Sequence, residues 1–207
     1  MQAFSTQTNL TRLMRALLLA VLLAPTAALA EREPEGVAAK LVVSTIDEVR
    51  NTVKASSGED QDALTGKLEK IIFPVFNFED MSRSCLGKNW KKGNKEQQKE
   101  FVDLFSKLLS RTYLNRIREI DKSTVEFAGE KVKGERAIVK TLVTKDGQTY
   151  PISYRMRNYQ SSWQVYDVVI ENISLVSNYR EDFSSIVRKK EFTGLLEMLR
   201  EKTASAA

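Results

Sequence analysis

Cys85, Asp167 and Glu171 hold the reactive groups that matter most in this sequence, and none has an evident chemical partner. The 207 residues include no histidine. That removes Ser-His-Asp and Cys-His nucleophiles and any zinc site built on imidazole. Cys85 is the only cysteine, so neither an internal disulfide nor a thiolate metal site can form. Met81 lies one helical turn before it and Leu86 follows it, the setting of a buried structural thiol. Asp167 interrupts an otherwise apolar run. Burial there would raise its pKa and suit it, or Glu171, to acid–base work; paired with an arginine or backbone amides it would instead fix a strand. No spacing singles out a working carboxylate pair. The residue types favour binding over catalysis, with no metal and no cofactor.

Those side chains must be held by a domain that begins after residue 30. Arg12 and Arg15 precede the apolar run from Ala16 to Ala24, and Ala28-Leu29-Ala30 closes it. This order reads as a secretory signal peptide over residues 1–30, cut before Glu31. Pro25 and Thr26 break the run too early for a membrane span. Beyond it stand 30 basic and 27 acidic side chains, a net charge of +3. They are interspersed, without the basic tract and interleaved aromatics of a nucleic-acid groove. One domain over residues 31–202 with a disordered tail over 203–207 is expected, large enough for a substantial core.

Helical periodicity runs from Val37 through Ala38, Val42, Ile46, Val49 and Val53, and Ser56-Ser57-Gly58 ends it. A second helix is predicted over 60–72, with Leu64, Leu68 and Ile71 inward and Pro74 as the stop. Asn77 is placed to cap a short helix through Met81 and Cys85, and Gly87 to close it. Asn94 and Gln97 have capping-box spacing for a long helix bearing Phe101, Leu104, Phe105, Leu108, Leu109 and Tyr113, reaching Ile120. The pattern then changes. Strands are predicted over 124–127, 137–144, 150–157 and 163–170, with Asp146-Gly147 as a hairpin turn and Ser161-Ser162 as another. Ile152, Tyr154 and Met156 share one face of the third strand, opposite Ser153, Arg155 and Arg157. Helices return after Ser177 or Asn178, broken near Lys190. The class is α+β: a four-stranded antiparallel sheet packed against flanking helices.

Two segments carry a family resemblance. The first is Pro74-Val75-Phe76-Asn77-Phe78 through Met81-Ser82-Arg83, Leu86-Gly87 and Trp90, continued by Gln98, Phe101, Phe105, Leu109 and Tyr113. The second is Trp163-Gln164-Val165-Tyr166-Asp167-Val168-Val169-Ile170-Glu171 with Ile173 to Val176, Tyr179-Arg180 and Phe183. In this order they resemble the MlaC family, the toluene-tolerance auxiliary proteins. Asn77 stands where family members often have Asp, and both residues cap helices well.

The resemblance implies a periplasmic, monomeric phospholipid carrier of an ABC-type transport system that maintains outer-membrane lipid asymmetry. Its implied partners are the lipid cargo, an outer-membrane lipoprotein complex and an inner-membrane complex with an MCE-type lipid-binding subunit. It also implies a cystatin-like or nuclear-transport-factor-like enclosure of a lipid cavity between sheet and helices. The lining expected of it is Phe76, Leu104, Leu108, Tyr113, Val139, Ile152, Tyr154, Met156, Val165 and Tyr166, with Lys88, Arg155 or Arg157 near the headgroup. Other readings are a carrier of a hopanoid or isoprenoid-like lipid, a carboxylate enzyme, or an adaptor with a filled core.

Overall fold

The computed structural model describes residues 34–204; the expected signal peptide and residues 205–207 lie outside them. The amphipathic periodicity produces α1, Val37–Ala55, and α2, Gln61–Ile72, whose N-cap Asp60 accepts from the amides of Asp62 and Ala63. Pro74 ends α2 in a 3-10 turn, Phe73–Val75. Helix α3, Phe78–Leu86, begins where the Asn77 side chain accepts from the Asp80 amide, and stops at Gly87 with φ of 51°. Such a left-handed stop favours glycine. A second 3-10 turn, Gly87–Lys92, leads into α4, Lys95–Ile117, which opens with the complete Asn94–Gln97 capping box. The long helix ends three residues short of the predicted Ile120, which falls in a separate 3-10 turn.

Five strands follow, in spatial order β1-β2-β3-β4-β5, one more than the sequence pattern predicts. They are β1, Thr124–Lys133; β2, Arg136–Lys145; β3, Gln148–Tyr159; β4, Ser162–Ile170; and β5, Ile173–Ser174. All pairings are antiparallel. Asp146 and Gly147 both have positive φ, the primed turn expected of this dipeptide. Strand β1 runs well past Phe127 because it is an edge strand: Lys131 and Lys133 face solvent, and their polarity hides the strand from an apolar-pattern reading. Glu130 also accepts from the Ala39 amide at 3.0 Å, tying that edge to the start of α1.

The last helix, α5, spans Leu175–Ala204 and is broken at Glu191, whose φ of 58° is non-helical. Its start differs from the predicted cap. Ser174, rather than Ser177 or Asn178, supplies the capping oxygen, accepting from the Ser177 amide at 3.1 Å. Its end also differs: Thr203 is buried and donates to the Leu199 carbonyl at 2.8 Å, so the helix continues into the expected tail.

Three apolar clusters hold these layers together. Helices α3, α4 and α5 meet around Phe101, Phe105 and Phe183, with Phe101 edge-on to Phe183 at 5.5 Å, a favoured aromatic geometry. The first half of α1 packs on the sheet through Ala38, Ala39 and Val42 against Val139, Met156 and Val165. The second half of α1 packs on α2 and the end of α4 through Val49, Val53, Leu68 and Leu114.

Candidate functional site

The three clusters do not close on one another. Where they meet lies a cavity of about 670 Å3, to which Met81 and Leu109, Val168, and Leu114 contribute from the respective clusters. The volume falls in the range of small-ligand sites, about 300–1,000 Å3. Strand register explains the sheet wall. Val125, Val143 and Tyr150 are successive partners across β1, β2 and β3, while Ile152 pairs with Ile170 and Tyr154 with Val168 across β3 and β4. All seven line the cavity. Side chains alternate between sheet faces, so one face of the β2–β4 ladder is presented in a continuous apolar row.

Further along that face the space is filled. Ala137 pairs with Met156, which pairs with Val165, and these pack beneath the start of α1. The single face therefore changes from packed core to cavity wall between Met156 and Tyr154. On α1 the same transition falls between Val42, in the packed cluster, and Ile46, in the lining.

Of the ten residues expected to line the cavity, the structure brings four together there: Phe76, Tyr113, Ile152 and Tyr154. Val139, Met156 and Val165 share their face but are wholly buried in the filled cluster. Leu104 and Leu108 lie nearer the start of α4, in or against the aromatic cluster. Tyr166 sits at a bulge, since Arg155 pairs with Asp167 and Met156 with Val165; its ring lies under the Arg157 guanidinium at 5.3 Å. Alternation along the strands cannot show the bulge or the depth of the filled region. Ile46, Leu109, Val143, Val168, Ile170 and Leu175 complete much of the wall and were not singled out. For Val143, Val168 and Ile170 the signal was present, as apolar residues on strands flanking Ile152 and Tyr154.

Polar lining gathers where elements end. Arg116 lies in the last turn of α4, Glu119 just after it, Lys145 at the end of β2, and Glu171 in the β4–β5 turn. Arg116, Glu119 and Glu171 are exposed, so this end is the mouth. Lys145 Nζ donates to the Glu119 carboxylate. That hydrogen bond holds the lysine above its ordinary pKa and the glutamate below its own.

None of the expected headgroup cations lines the cavity. Lys88 is exposed on the turn before α4. Arg155 is bound to Asp167 at 3.0 Å and Arg157 to Asp80 at 2.9 Å, so each arginine is already paired with a carboxylate.

Asp167 and Cys85 are committed to structure. Asp167 is buried, and besides Arg155 it accepts from the Ser174 hydroxyl at 2.7 Å and the Val176 amide at 3.1 Å. It joins β4 to the start of α5. Glu171 is a mouth residue without a second carboxylate beyond Glu119 in the lining. Burial pushes the Cys85 thiol up to about 12, so it remains protonated and unreactive. Burial also raises the Tyr154 hydroxyl, keeping a neutral phenol in the wall. Among the described residues no cluster of acidic, cysteine or histidine side chains could hold a metal, and no helix is long and apolar enough to cross a membrane.

This architecture has known counterparts. A phospholipid-binding protein from Ralstonia solanacearum, solved in complex with a phospholipid, superposes with a TM-score of 0.73 at 25% identity, covering 81% of this chain and 97% of that one. The toluene tolerance protein ttg2D of Pseudomonas putida is 26% identical over 183 residues, spanning 86% of this chain and 83% of the relative. The intermembrane phospholipid transport system binding protein MlaC of Haemophilus influenzae is 21% identical over 173 residues, spanning 79% and 81%. The sequence profile described as MlaC protein matches residues 43–201. Both segments that carry the resemblance contribute to the apolar cavity, through Phe76, Phe78 and Met81 and through Val168, Ile170 and Leu175, and the chain belongs to the MlaC family.

Proposed function

We propose that the cavity holds the acyl chains of a glycerophospholipid, which the protein carries through the periplasm. It would exchange this cargo between an outer-membrane lipoprotein complex and an inner-membrane ABC complex with an MCE-type subunit. The observation that carries the reading is the cavity itself, apolar along β2–β4 and α4 and charged only at its mouth. Two long acyl chains hold about 30 methylenes, each gaining roughly 0.8 kcal/mol on leaving water. Unaided desorption therefore costs on the order of 20 kcal/mol, and a carrier must shield nearly all of that surface. A wall of side chains without directional contacts does so for chains of varied length. The role is binding and transfer, with no covalent step, and Asp167 acts as a structural tie.

The test is mass spectrometry of organic extracts from protein purified under mild conditions from the periplasm. Near-stoichiometric glycerophospholipid is expected. Recovery of a hopanoid or isoprenoid in its place would reassign the cargo. Repeated recovery of folded, lipid-free protein would overturn the carrier reading.

A further inference from the structure

Two lysine-rich stretches that look unremarkable in the sequence are brought together by the fold. Lys88, Lys91 and Lys92 lie on the 3-10 turn before α4, and Arg188, Lys189 and Lys190 lie just before the break in α5. The turn and α5 pack through Gly93, where a Cβ would come within 2.7 Å of the Phe192 ring. Gln98 holds the turn in shape, its amide donating to the carbonyls of Trp90 at 2.9 Å and Gly93 at 3.0 Å. All six cations are exposed, and none is in an ion pair among the described residues. The carboxylates closest in sequence are Glu96 and Glu191, so the excess is strongly positive.

We infer that this basic patch docks the protein on an anionic phospholipid bilayer. Its chemistry separates a lipid surface from a protein partner. A stable protein interface needs a buried apolar or aromatic centre. Among the described residues the exposed large apolar ones are Val37, Val132, Ile138 and Ile173, and none belongs to the patch. Five of the six cations are lysines, hydrated point charges without the planar fork that selects single carboxylates. A diffuse lysine cluster suits the smeared negative potential of an anionic leaflet. Trp90, half-buried beside it with the Arg83 guanidinium 5.5 Å from its ring, has the amphipathic character favoured at membrane interfaces.

The patch and the mouth lie at opposite ends of one helix. Lys95 begins α4 and Arg116 lies in its last turn, a separation of about 30 Å at 1.5 Å per residue. A bilayer held by the patch is therefore engaged at a distance from the mouth and does not need to cover it.

The experiment is flotation of the purified protein with vesicles of phosphatidylglycerol and phosphatidylcholine in equal parts, against vesicles of phosphatidylcholine alone. Binding to the anionic vesicles only is expected, falling steeply with salt. Each triple variant, Lys88→Gln/Lys91→Gln/Lys92→Gln and Arg188→Gln/Lys189→Gln/Lys190→Gln, should weaken it about 100-fold, near five-fold per charge. Circular dichroism and lipid loading should be unchanged in both, whereas Arg116→Gln at the mouth should bind vesicles as the parent does. Equal binding to neutral vesicles, normal vesicle binding by both triple variants, or an equal loss in Arg116→Gln would overturn the inference. So would triple variants that keep vesicle binding but lose an acidic protein partner. Loading is read separately, so failure of the carrier reading is distinguishable from failure of the docking surface.

Discussion

Arg155 and Asp167 are register partners on β3 and β4, joined at 3.0 Å, yet their environments differ: the arginine side chain is 43% exposed and the aspartate side chain 3%. Loss of either breaks the same ion pair, but the consequences are unequal. Without Asp167, the Ser174 hydroxyl and Val176 amide also lose their acceptor. Asp167→Ala is expected to cost about 3 kcal/mol. Arg155→Ala is expected to cost about 1 kcal/mol, because a half-exposed ion pair is screened and two donors still hold the carboxylate. Urea denaturation measures both, and equal losses would contradict this division of roles.

Ile152 and Met156 share a sheet face but should respond differently to substitution. Ile152 borders empty space, so Ile152→Trp should fill the cavity with no loss of melting temperature. Lipid recovered from the variant should drop several-fold. Undiminished lipid in a folded Ile152→Trp protein would show that this wall does not contact cargo.

Met156 is wholly buried in the filled cluster with Val139 and Val165. Met156→Arg would place an unpaired charge there, and a loss above about 4 kcal/mol is expected. The readout is a collapsed melting transition, with lipid lost only as a result of unfolding. A folded variant that specifically lost lipid would move Met156 into the cavity wall.

Cys85 should resist alkylation by iodoacetamide at pH 8 in the folded protein and react once it is denatured. The cause is burial, which raises the thiol from 9.0 to about 12. The same shift has a sign for stability. Below pH 9 the thiol is neutral in both states; above it the unfolded chain ionises first. Stability should therefore fall between pH 9 and 12, and less so in Cys85→Ala. Rapid modification of native protein at pH 8 would refute the buried-thiol assignment.

Asn77 caps α3 through its oxygen and donates its amide to Gln164 Oε1 at 2.9 Å. Asn77→Ala should cost about 2 kcal/mol, from the lost cap and the lost cross-link. Asn77→Asp should stay within about 0.5 kcal/mol of the parent, since a carboxylate caps as well and the Gln164 amide can turn to donate. Thermal melts of the pair would decide it.

Much of the fold was legible because local chemistry sets it. Asp60, Asn77, Gly87 and the Asn94–Gln97 pair mark helix ends, and Asp146-Gly147 marks a turn, each through bonds formed within a few residues. The site was legible only in direction. Alternation told that Tyr154 and Met156 share a face, but not that one meets empty space and the other the start of α1, because that depends on elements over 100 residues away. β5 carries no periodicity because it has two residues, and the apolar stripe on α4 is continuous, so alternation alone does not show that it serves the aromatic cluster at Leu104 and reaches the cavity only near Leu109. The mouth charges are hidden among other surface charges, being defined by the ends of α4 and β2 and the β4–β5 turn, which converge there.

The strand order follows the chain, and this bears on how the protein acquires its shape. Each sheet pairing joins consecutive strands, so the meander can zip up hairpin by hairpin with little loop entropy to overcome. The bridge between Phe76 and Val165 is of another kind, its neighbouring link from Asn77 to Gln164 spanning 87 residues. It joins the helical half to the sheet across a long span of chain, so it carries more loop entropy than any hairpin. Until that pairing is made, the sheet wall and the helix faces that line the cavity stand open to water as two apolar surfaces.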